Sequence, residues 1–493
     1  MIDTQAIRRH LLEAAIHGNL TDNSDDVTTE DIPARIEAQY NALLFAKETK
    51  SIVCEPMIAE NLFKIPETWI WVSLRQLCLF LSRGKSPKYS EVAKYPVFAQ
   101  KCNQPTGLAL DRALFLDETT LDKWPPFFHL QDGDILINST GTGTMGRVGY
   151  YESEKLNPEY PFIVPDSHVT VARLGKGVVP KYIYYALRSP FLQKIMEKQF
   201  RGSTNQKEFY INSVAALPIP LPPSNVQERI AFVLDSAYTI LHSIDTLQLK
   251  YADNLTALRS KLIDAAIQGQ LAEQFSEDGV AEELYQQIQA EKHALIKTGK
   301  IKKEKPISEI AVDEIPFAIP AQWKWVRLSS LMLLMSTGPF GSMLHKSDYI
   351  ENGIPVINPA NIIDGSIVPS KKMQISAETQ SRLAAYELHE GMIVMGRRGE
   401  MGRCAVVGPA EDGWLCGTGS FFMKPSSSLS SEYISLVISS PYAKSYLSGQ
   451  SIGMTMDNLN QNILQNMPVP LPPFAEQKRI IVTLKNILKM LEE

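Results

Sequence analysis

Several short segments of the sequence combine cations with amides and small polar side chains, the residue types that contact nucleic acids. Arginine and lysine bind phosphates and guanine edges, asparagine and glutamine match adenine, and small residues allow close approach. In the first half of the chain the candidates are Arg83, Lys85, Lys101, Asn103, Gln104, Asn138, Arg147, Arg201, Ser203, Thr204, Asn205, Gln206 and Lys207. In the second half they are Lys346, Asn358, Asn361, Arg397, Arg398, Arg403, Thr455 and Asn458.

The segment 201–207 is the strongest of these candidates, because it combines two cations, two amides and a glycine within seven residues. A polar counterpart at 453–458 occupies the corresponding place in the second half. A plain solvated loop would have the same composition, so that alternative stays open.

Two further interpretations concern single side chains. A surface cluster of ion pairs with Glu400 would explain Arg397, Arg398 and Arg403 without any ligand. His168 stands in an alternating run typical of a strand, so we expect it to pack in the core rather than to contact a base.

Motifs of self-contained enzymes are missing from the sequence. The run GTGTMGR at 141–147 is similar to a phosphate-binding loop, but Arg147 and Val148 replace the required Lys-Ser/Thr pair. There is no Asp/Asn-Pro-Pro-Tyr/Phe segment, no Gly-x-Ser-x-Gly elbow and no metal-ligand spacing among the five cysteines and eight histidines. We therefore expect no catalytic residue, no metal and no cofactor, with any catalysis supplied by partner proteins.

Composition suggests a cytoplasmic protein. The N-terminal segment has no signal-peptide pattern and is too polar to span a membrane, and the scattered cysteines are typical of reduced thiols. The net charge of −5 is unusual for a nucleic-acid binder. However, residues 65–225 hold 18 Lys and Arg against 14 Asp and Glu, and residues 315–473 hold 11 of each. The acidic excess therefore lies outside these two segments, which leaves room for local basic patches.

The polar segments belong to two copies of one sequence pattern. Three marker segments recur about 250 residues apart in the same order, with six of ten, six of ten and eight of fourteen positions identical. The matched pairs are 11–20 with 262–271, 65–74 with 319–328, and 217–230 with 467–480. A period this long indicates a duplicated half rather than a solenoid repeat.

A long helix separates the two copies. Apolar residues recur in steps of three and four over residues 226–265, with one extra step of four near Tyr251, which predicts a coiled-coil seam about 60 Å long. The C-terminal residues 474–493 repeat the start of this helix, and residues 1–20 repeat its end. We therefore expect the terminal helices to pack antiparallel to the central one, completing a second copy in a pseudo-twofold arrangement.

The predicted fold is α/β, with two similar domains separated by an antiparallel coiled-coil spacer. Each domain begins at a Trp-x-Trp segment and ends at a Pro-x-Pro-Leu-Pro-Pro segment, which we interpret as a rigid connector. The predicted limits are 1–59 for an N-terminal helical segment, 60–225 for the first domain, 226–314 for the central spacer, 315–473 for the second domain and 474–493 for a C-terminal helical segment.

This combination resembles the specificity subunits of Type I restriction-modification systems. The resemblance depends on the paired globular regions, the Pro-x-Pro-Leu-Pro-Pro-x-x-x-Gln-x-Arg-Ile exits at 218–230 and 468–480, the helix that follows, and the Ala-Ala-Ile-x-Gly-x-Leu helix ends. It covers nearly the whole chain. One departure is that the C-terminal helix stops at Glu493, so residues 1–20 would have to complete the second helix.

The resemblance implies that each domain is a target-recognition domain reading one half of a bipartite double-stranded DNA target. It implies that the helical pair fixes the gap and docks two methyltransferase subunits, with restriction subunits joining the full complex. An adaptor whose domains bind proteins of a defence complex, rather than specific DNA, is the alternative that the sequence leaves open.

Overall fold

The computed structural model describes residues 1–22, 29, 31–52, 55–141, 143–155, 160–202, 207–303, 308–340, 343–449 and 459–491. The chain divides into two compact units, residues 1–249 (unit 1) and residues 250–493 (unit 2). The same kinds of element follow one another in the same order in both units, so the duplication seen in the sequence extends to the fold.

Unit 1 contains six helices among its described residues, and the last of them continues into unit 2. The helices are α1 (Thr4–Ile16), α2 (Asp31–Phe45), α3 (Pro180–Leu187), α4 (Pro190–Lys198), α5 (Ile211–Ala215) and α6 (Ser224–Ile267). The strands are β1 (Ile70–Ser73), β2 (Cys78–Arg83), β3 (Tyr89–Ser90), β4 (Pro96–Phe98), β5 (Asn103–Gln104), β6 (Gly107–Leu108), β7 (Leu114–Leu116), β8 (Ile135–Asn138), β9 (Val148–Tyr150), β10 (Val164–Pro165), β11 (Val169–Leu174) and β12 (Pro218–Leu221).

Unit 2 repeats this series. Its helices are α7 (Ala281–Lys297), α8 (Leu328–Leu331), α9 (Ala377–Arg382), α10 (Ser431–Ser439), α11 (Pro441–Gly449), α12 (Gln461–Asn466) and α13 (Phe474–Met490). Its strands are β13 (Lys324–Arg327), β14 (Met332–Thr337), β15 (Tyr349–Ile350), β16 (Ile354–Ile357), β17 (Ile362–Ile363), β18 (Ser366–Ile367), β19 (Gln374–Ile375), β20 (Ile393–Gly396), β21 (Cys404–Val406), β22 (Leu415–Cys416), β23 (Ser420–Pro425) and β24 (Pro468–Leu471).

Each unit packs two four-stranded sheets against one another. In unit 1 the strand orders are β2-β11-β8-β9 and β10-β4-β7-β3, and in unit 2 they are β14-β23-β20-β21 and β22-β16-β19-β15. The first sheet is antiparallel in both units, whereas the second contains one parallel pair, β4 with β10 and β16 with β22. The predicted α/β fold with a duplicated domain is therefore confirmed.

The proline-rich exits form strands, which the sequence did not predict. Strand β12 pairs antiparallel with β1, and β24 pairs with β13 in the same register, so Trp71 faces Pro220 and Trp325 faces Pro470. Prolines are tolerated because they alternate with residues that can donate to the partner strand. The carbonyl of Pro220 accepts the Tyr182 hydroxyl, and Pro470 accepts that of Tyr433 at 3.0 Å.

The glutamine common to both exit motifs explains why the helix begins where it does. Gln227 donates to the Pro222 carbonyl at 2.8 Å and accepts the Val179 backbone N–H at 2.7 Å. Gln477 makes the equivalent bonds to Pro472 and Ser430 at 2.9 and 3.0 Å. Both amides are fully buried, so each joins the exit, the following helix and the preceding domain through satisfied polar contacts.

Helix α6 extends from Ser224 to Ile267, as the apolar spacing predicted. Within unit 1, α1 runs antiparallel to its first half. The backbone N–H of Ile2 donates to Gln248 at 2.6 Å, Arg8 pairs with Asp245 at 2.7 Å, and Arg229 donates to the Asp22 carbonyl at 2.9 Å. The predicted antiparallel packing of a terminal helix on the central helix is confirmed for this pair.

In unit 2, helix α13 packs with the second half of α6. Ala266 and Ile267 share a core cluster with Ile480 and Leu484. Arg479 donates to the Glu273 carbonyl at 3.2 Å and pairs with Asp278, and the carbonyl contact repeats that of Arg229 with Asp22. Each unit thus contains its own two-helix support for the sheets.

Candidate nucleic-acid interface

Loops from both sheets of unit 1 meet at one end of the strands. Strands β2, β4, β8 and β10 end there and β11 begins there, since neighbouring strands of the first sheet run antiparallel. We call the residues at this end, 83–86, 99–101, 139–141 and 166–168, loop edge 1. The sequence therefore brings Arg83, Lys85 and Lys101 to one side of the domain.

Backbone contacts hold the four loops of loop edge 1 together. Gly84 donates its N–H to the Val169 carbonyl at 3.0 Å, and Ser139 donates to His168 at 2.8 Å. A Cβ at Gly84 would lie 2.1 Å from the Pro165 carbonyl oxygen, so only glycine allows this approach. Gly338 has the same role in unit 2, where a Cβ would lie 1.9 Å from the Gly417 carbonyl oxygen.

The exposed face of loop edge 1 carries a hydrogen-bonded set of three polar side chains. The Thr140 hydroxyl donates to Gln100 Oε1 at 3.1 Å and lies 2.8 Å from His168 Nδ1. No described residue accepts a hydrogen bond from the side-chain N–H₂ of Gln100, so this group can donate to a ligand, and Lys101 beside it is exposed. These groups offer donors and acceptors of the kind that base edges require.

The expectation that His168 packs in the core is wrong. His168 is exposed and lies in the turn between β10 and β11, where its backbone N–H donates to Asp166 at 2.8 Å. Burial raises the pKa of the Asp166 carboxyl, which lies beneath this turn. The alternation that suggested a strand begins one residue later, at Val169.

The cations of loop edge 1 have different surroundings. Arg83 donates to the Ser167 carbonyl at 2.9 Å and lies 3.4 Å from the Glu208 carboxylate, so its charge is partly neutralised. The ammonium of Lys85 lies 4.7 Å from the centre of the Phe128 ring. Burial, and then the positive charge of Lys50, lower the pKa of Lys85.

Two predicted base readers of unit 1 are structural instead. Asn103 and Asn138 are fully buried. Asn103 donates to the Asn138 side chain at 3.1 Å and to the carbonyls of Leu136 and Arg147 at 3.3 and 3.1 Å. Their prediction as DNA contacts is therefore corrected: these amides hold strands together, because a side chain with no exposed surface cannot reach a ligand.

Gln104 and Arg147 also contribute to structure. Gln104 lies in the β5–β6 hairpin and donates to the Lys101 carbonyl at 2.6 Å, whereas Arg147 donates to the Asn103 carbonyl at 2.7 Å. Both are half-buried and keep part of their surface at the solvent.

The segment 201–207 is only partly described. Ser203, Thr204, Asn205 and Gln206 lie outside the described residues, as do Thr455 and Asn458 in unit 2. Arg201 and Glu208 exchange two backbone hydrogen bonds, and Phe209 donates to the Ser139 carbonyl at 2.8 Å. The two ends of this segment are therefore anchored beside loop edge 1, with Arg201 and Lys207 exposed.

Unit 2 forms an equivalent edge, loop edge 2, from residues 338–340, 358–359, 397–398 and 417–419. Arg397 donates its backbone N–H to Gly419 at 2.9 Å, as Ser139 does to His168 in unit 1. Its carbonyl accepts the Leu459 N–H at 3.1 Å, as that of Ser139 accepts Phe209. The two edges thus have the same backbone frame with different side chains.

The sequence suggested that an ion-pair cluster with Glu400 could explain the three arginines near loop edge 2, but Glu400 has a different main partner. Glu400 pairs with Lys444 at 2.6 Å, and this bond, more than the charge of Arg403, holds the pKa of Glu400 low. Arg398 is exposed, and Arg403 lies half-buried with a 3.5 Å contact to the Arg398 carbonyl.

The remaining candidates of unit 2 separate into edge and non-edge residues. Asn358 lies on loop edge 2, where its side-chain N–H₂ contacts Met373 sulfur at 3.4 Å. Asn361 is buried and donates to the Val368 carbonyl at 2.9 Å, so its prediction as a DNA contact is corrected. Lys346 is exposed before β15, which runs parallel to β16, so it lies at the end of the sheet opposite loop edge 2.

Among the described residues, no group of three or more His, Cys, Asp or Glu side chains could hold a metal ion. None of the helices in that part of the chain is both long and apolar enough to cross a membrane.

Comparison with known proteins gives a consistent result. A family model described as the Type I restriction modification DNA specificity domain matches residues 66–250 and 320–493. The Type I restriction enzyme EcoEI specificity subunit of Escherichia coli is 25% identical over 558 aligned positions, covering 99% of this chain and 89% of its own. The EcoAI specificity subunit of the same organism is 24% identical, covering 79% of this chain and 72% of its own.

A solved chain from work on complex assembly and conformational transition of the type I R-M system has the same fold. It covers 87% of this chain and 93% of its own, with a TM-score of 0.52 at 18% identity. The sequence-based recognition of the family is confirmed. The relatives are named specificity subunits, which agrees with the prediction that catalysis is left to other proteins.

Proposed function

Because the chain belongs to the Type I restriction-modification DNA specificity family, we propose that it reads a two-part DNA target through its two loop edges. Residues 60–225 and 315–473 are the two target-recognition domains, and each reads one half of the target. The observation that carries the proposal is the repetition of one backbone frame, Ser139–His168 and Arg397–Gly419, with different exposed side chains in each copy.

The chemistry of loop edge 1 supports DNA as its ligand. Lys85, Lys101, Arg201 and Lys207 supply cations for phosphates, while the Gln100–Thr140–His168 set supplies donors and acceptors for base edges. Ser203, Thr204, Asn205 and Gln206 remain candidates for contacts from the anchored segment beside this edge. On loop edge 2, the residues proposed to make the equivalent contacts to DNA are Asn358, Arg397 and Arg398.

Helix α6 suits the role of a spacer between the half-sites. Its 44 residues span about 66 Å at 1.5 Å each, and α1 and α13 stiffen its two halves. A rigid spacer makes the gap between half-sites a property of the protein. We propose that this helical part also docks two methyltransferase subunits, which methylate adenine, and that restriction subunits join them in the full complex.

The test is a genome-wide map of N6-methyladenine in cells that co-express this chain with a methyltransferase subunit of a Type I system from the same host. We expect one methylated motif with two specific parts and a fixed unspecified gap. Lys85→Glu with Lys101→Glu should abolish methylation without preventing assembly with the methyltransferase. Lys94→Glu is the matched control, since Lys94 precedes β4 at the opposite end of the sheet and pairs with Glu118.

Methylation without any sequence motif, or a stable complex that methylates nothing, would contradict the proposal. The second result would favour the adaptor alternative, in which the two domains bind proteins.

A further inference from the structure

Arg397 has an unusual setting on loop edge 2. Its guanidinium lies 5.0 Å from the centre of the Phe421 ring and 5.9 Å from that of Phe340. Phe421 is 1% exposed and Phe340 is 58% exposed, so the side chain passes from the core to the surface along two aromatic rings. Such stacking orients the plane of a guanidinium and replaces part of its hydration.

The backbone at Arg397 is fixed on both sides. It donates to Gly419 and accepts from Leu459, and Gly396 just before it is closely packed, because a Cβ there would lie 3.1 Å from the Pro359 side chain. Little backbone freedom therefore remains to be lost when the side chain meets a ligand.

The charge of Arg397 has no partner in the part of the chain that the structure describes. None of the described residues accepts a hydrogen bond from its guanidinium or pairs with it, and Nε is buried without an acceptor. Burial, and then the neighbouring Arg398, lower the pKa of Arg397. A half-buried, unpaired guanidinium is costly for the folded protein, which is a reason to look for an external acceptor.

The equivalent residue of unit 1 provides a contrast. Ser139 has the same backbone contacts, but it is fully buried and its hydroxyl bonds to Thr170 at 2.6 Å. The fold therefore needs no arginine at this position, and the arginine is specific to the surface that unit 2 presents.

We propose that Arg397 reads a guanine in the half-site contacted by unit 2, donating two hydrogen bonds to O6 and N7 of that base in the major groove. A planar fork held by aromatic rings matches this pair of acceptors, and guanine is the base that offers both on one edge. Phe340 beside it packs against the neighbouring base. The inference depends on the proposed role of loop edge 2 in DNA reading.

The experiment uses the full chain assembled with its methyltransferase and a library of duplexes randomised at each target position in turn. Relative affinities are measured by competition. Wild type should prefer guanine at one position in one half-site, and Arg397→Lys should reduce that preference by about 5- to 150-fold while leaving the other half-site unchanged. Arg397→Met, which retains the packing on the rings, should do the same.

Arg382→Lys is the matched control, since Arg382 is an exposed arginine of unit 2 that lies outside loop edge 2 and pairs with Asp348 at 3.2 Å, and it should leave the guanine preference intact. An equal loss of affinity for all sequences in Arg397→Lys would mean a phosphate contact and would overturn the inference. The inference would also be overturned if the wild-type protein prefers guanine at no position where this preference is lost in the Arg397 variants. If wild type itself has no sequence preference, the proposed function fails rather than this residue assignment alone.

Discussion

Glu476 and Val226 occupy equivalent positions at the start of helices α13 and α6, and only one of them carries a charge. Glu476 is fully buried and accepts the Trp323 indole N–H at 2.9 Å. Its second oxygen is buried without a partner among the described residues. Burial raises the pKa of Glu476, against the lowering effects of the Trp323 bond and of Arg479.

This setting predicts a pH-dependent loss of stability. Because the folded pKa is raised above the ordinary 4.5, the native state binds the proton more tightly than the unfolded state. Stability should therefore fall as the pH rises from about 4.5 through the folded pKa. Glu476→Gln should gain stability relative to wild type across that window, by about 1.4 kcal/mol for each pH unit that the window spans, measured by denaturant unfolding.

Glu432→Gln in the same unit is the matched control, since Glu432 is exposed and pairs with Lys485 at 2.7 Å. It should change the free energy of unfolding by less than about 1 kcal/mol at every pH. A constant difference between Glu476→Gln and wild type from pH 4 to pH 8 would show that the buried carboxyl does not titrate as inferred.

Lys85 gives a prediction for phosphate contact on loop edge 1. Its ammonium lies over Phe128, donates to the Lys123 carbonyl and has Lys50 and Lys123 as well as Asp122 near it, and a phosphate would offset the two lysine charges. Lys85→Ala should weaken DNA binding equally for all sequences and reduce the slope of log K against log salt concentration by about 1. Lys88→Ala, which removes a cation already paired with Asp117 at 2.7 Å, should leave the slope unchanged. An unchanged slope in Lys85→Ala would exclude the contact.

At the scale of single residues, the sequence showed which segments contain the side-chain types that contact DNA, but it did not show which of these side chains are exposed. Arg397 and Lys85 were predicted as DNA contacts because cations in polar segments suggest phosphates and bases, and both stay predictions. Asn103 and Asn138 were misassigned because a buried amide that ties strands together has the same local sequence context as an exposed one. His168 was expected in the core because alternation cannot locate the first residue of a strand.

The elements of the chain were predicted unevenly for a physical reason. Helix α6 was found almost to the residue, because an apolar period of about 3.5 residues over about twelve turns is a strong local signal. The pairing of β12 with β1 was missed, because proline usually excludes strands and the contact joins residues about 150 positions apart. Only the register, with prolines at alternate positions, makes this pairing possible.

The length of α6 leads to a prediction for the target. Tyr251 is 57% exposed, so four residues inserted after it should be accommodated as one more helical turn. The helix would lengthen by about 6 Å, and the gap between the methylated half-sites should grow by about one to two base pairs at about 3.4 Å each. The motif in methylation maps reports the gap directly.

A four-residue insertion after Gly299 is the control, because this exposed turn follows α7 and lies outside α6. It should leave both half-sites and their gap as in wild type. If the α6 insertion methylates the original motif with the original gap, the helix does not set the spacing.

On the scale of the whole molecule, the duplication is a repetition of self-contained units. The buried side chains that form the two cores of unit 1 come from residues 12–234 in the described part of the chain. They include Leu12 and Ile16 of α1 and Val226, Ile230 and Leu234 of α6. The supporting helices are thus parts of the domain core as well as of the spacer.

Residues 1–249 expressed alone should therefore fold cooperatively, with a single thermal transition and dispersed amide resonances. Residues 1–223 should not fold, because losing Val226, Ile230, Leu234 and Leu241 removes about 1.5–3 kcal/mol of burial for each. That total approaches the whole stability of a typical domain. The buried Gln227, which joins the exit to Val179, would be lost as well. If the shorter fragment folds as well as the longer one, the start of α6 is not needed for the core of unit 1. The helix would then contribute only to the spacer.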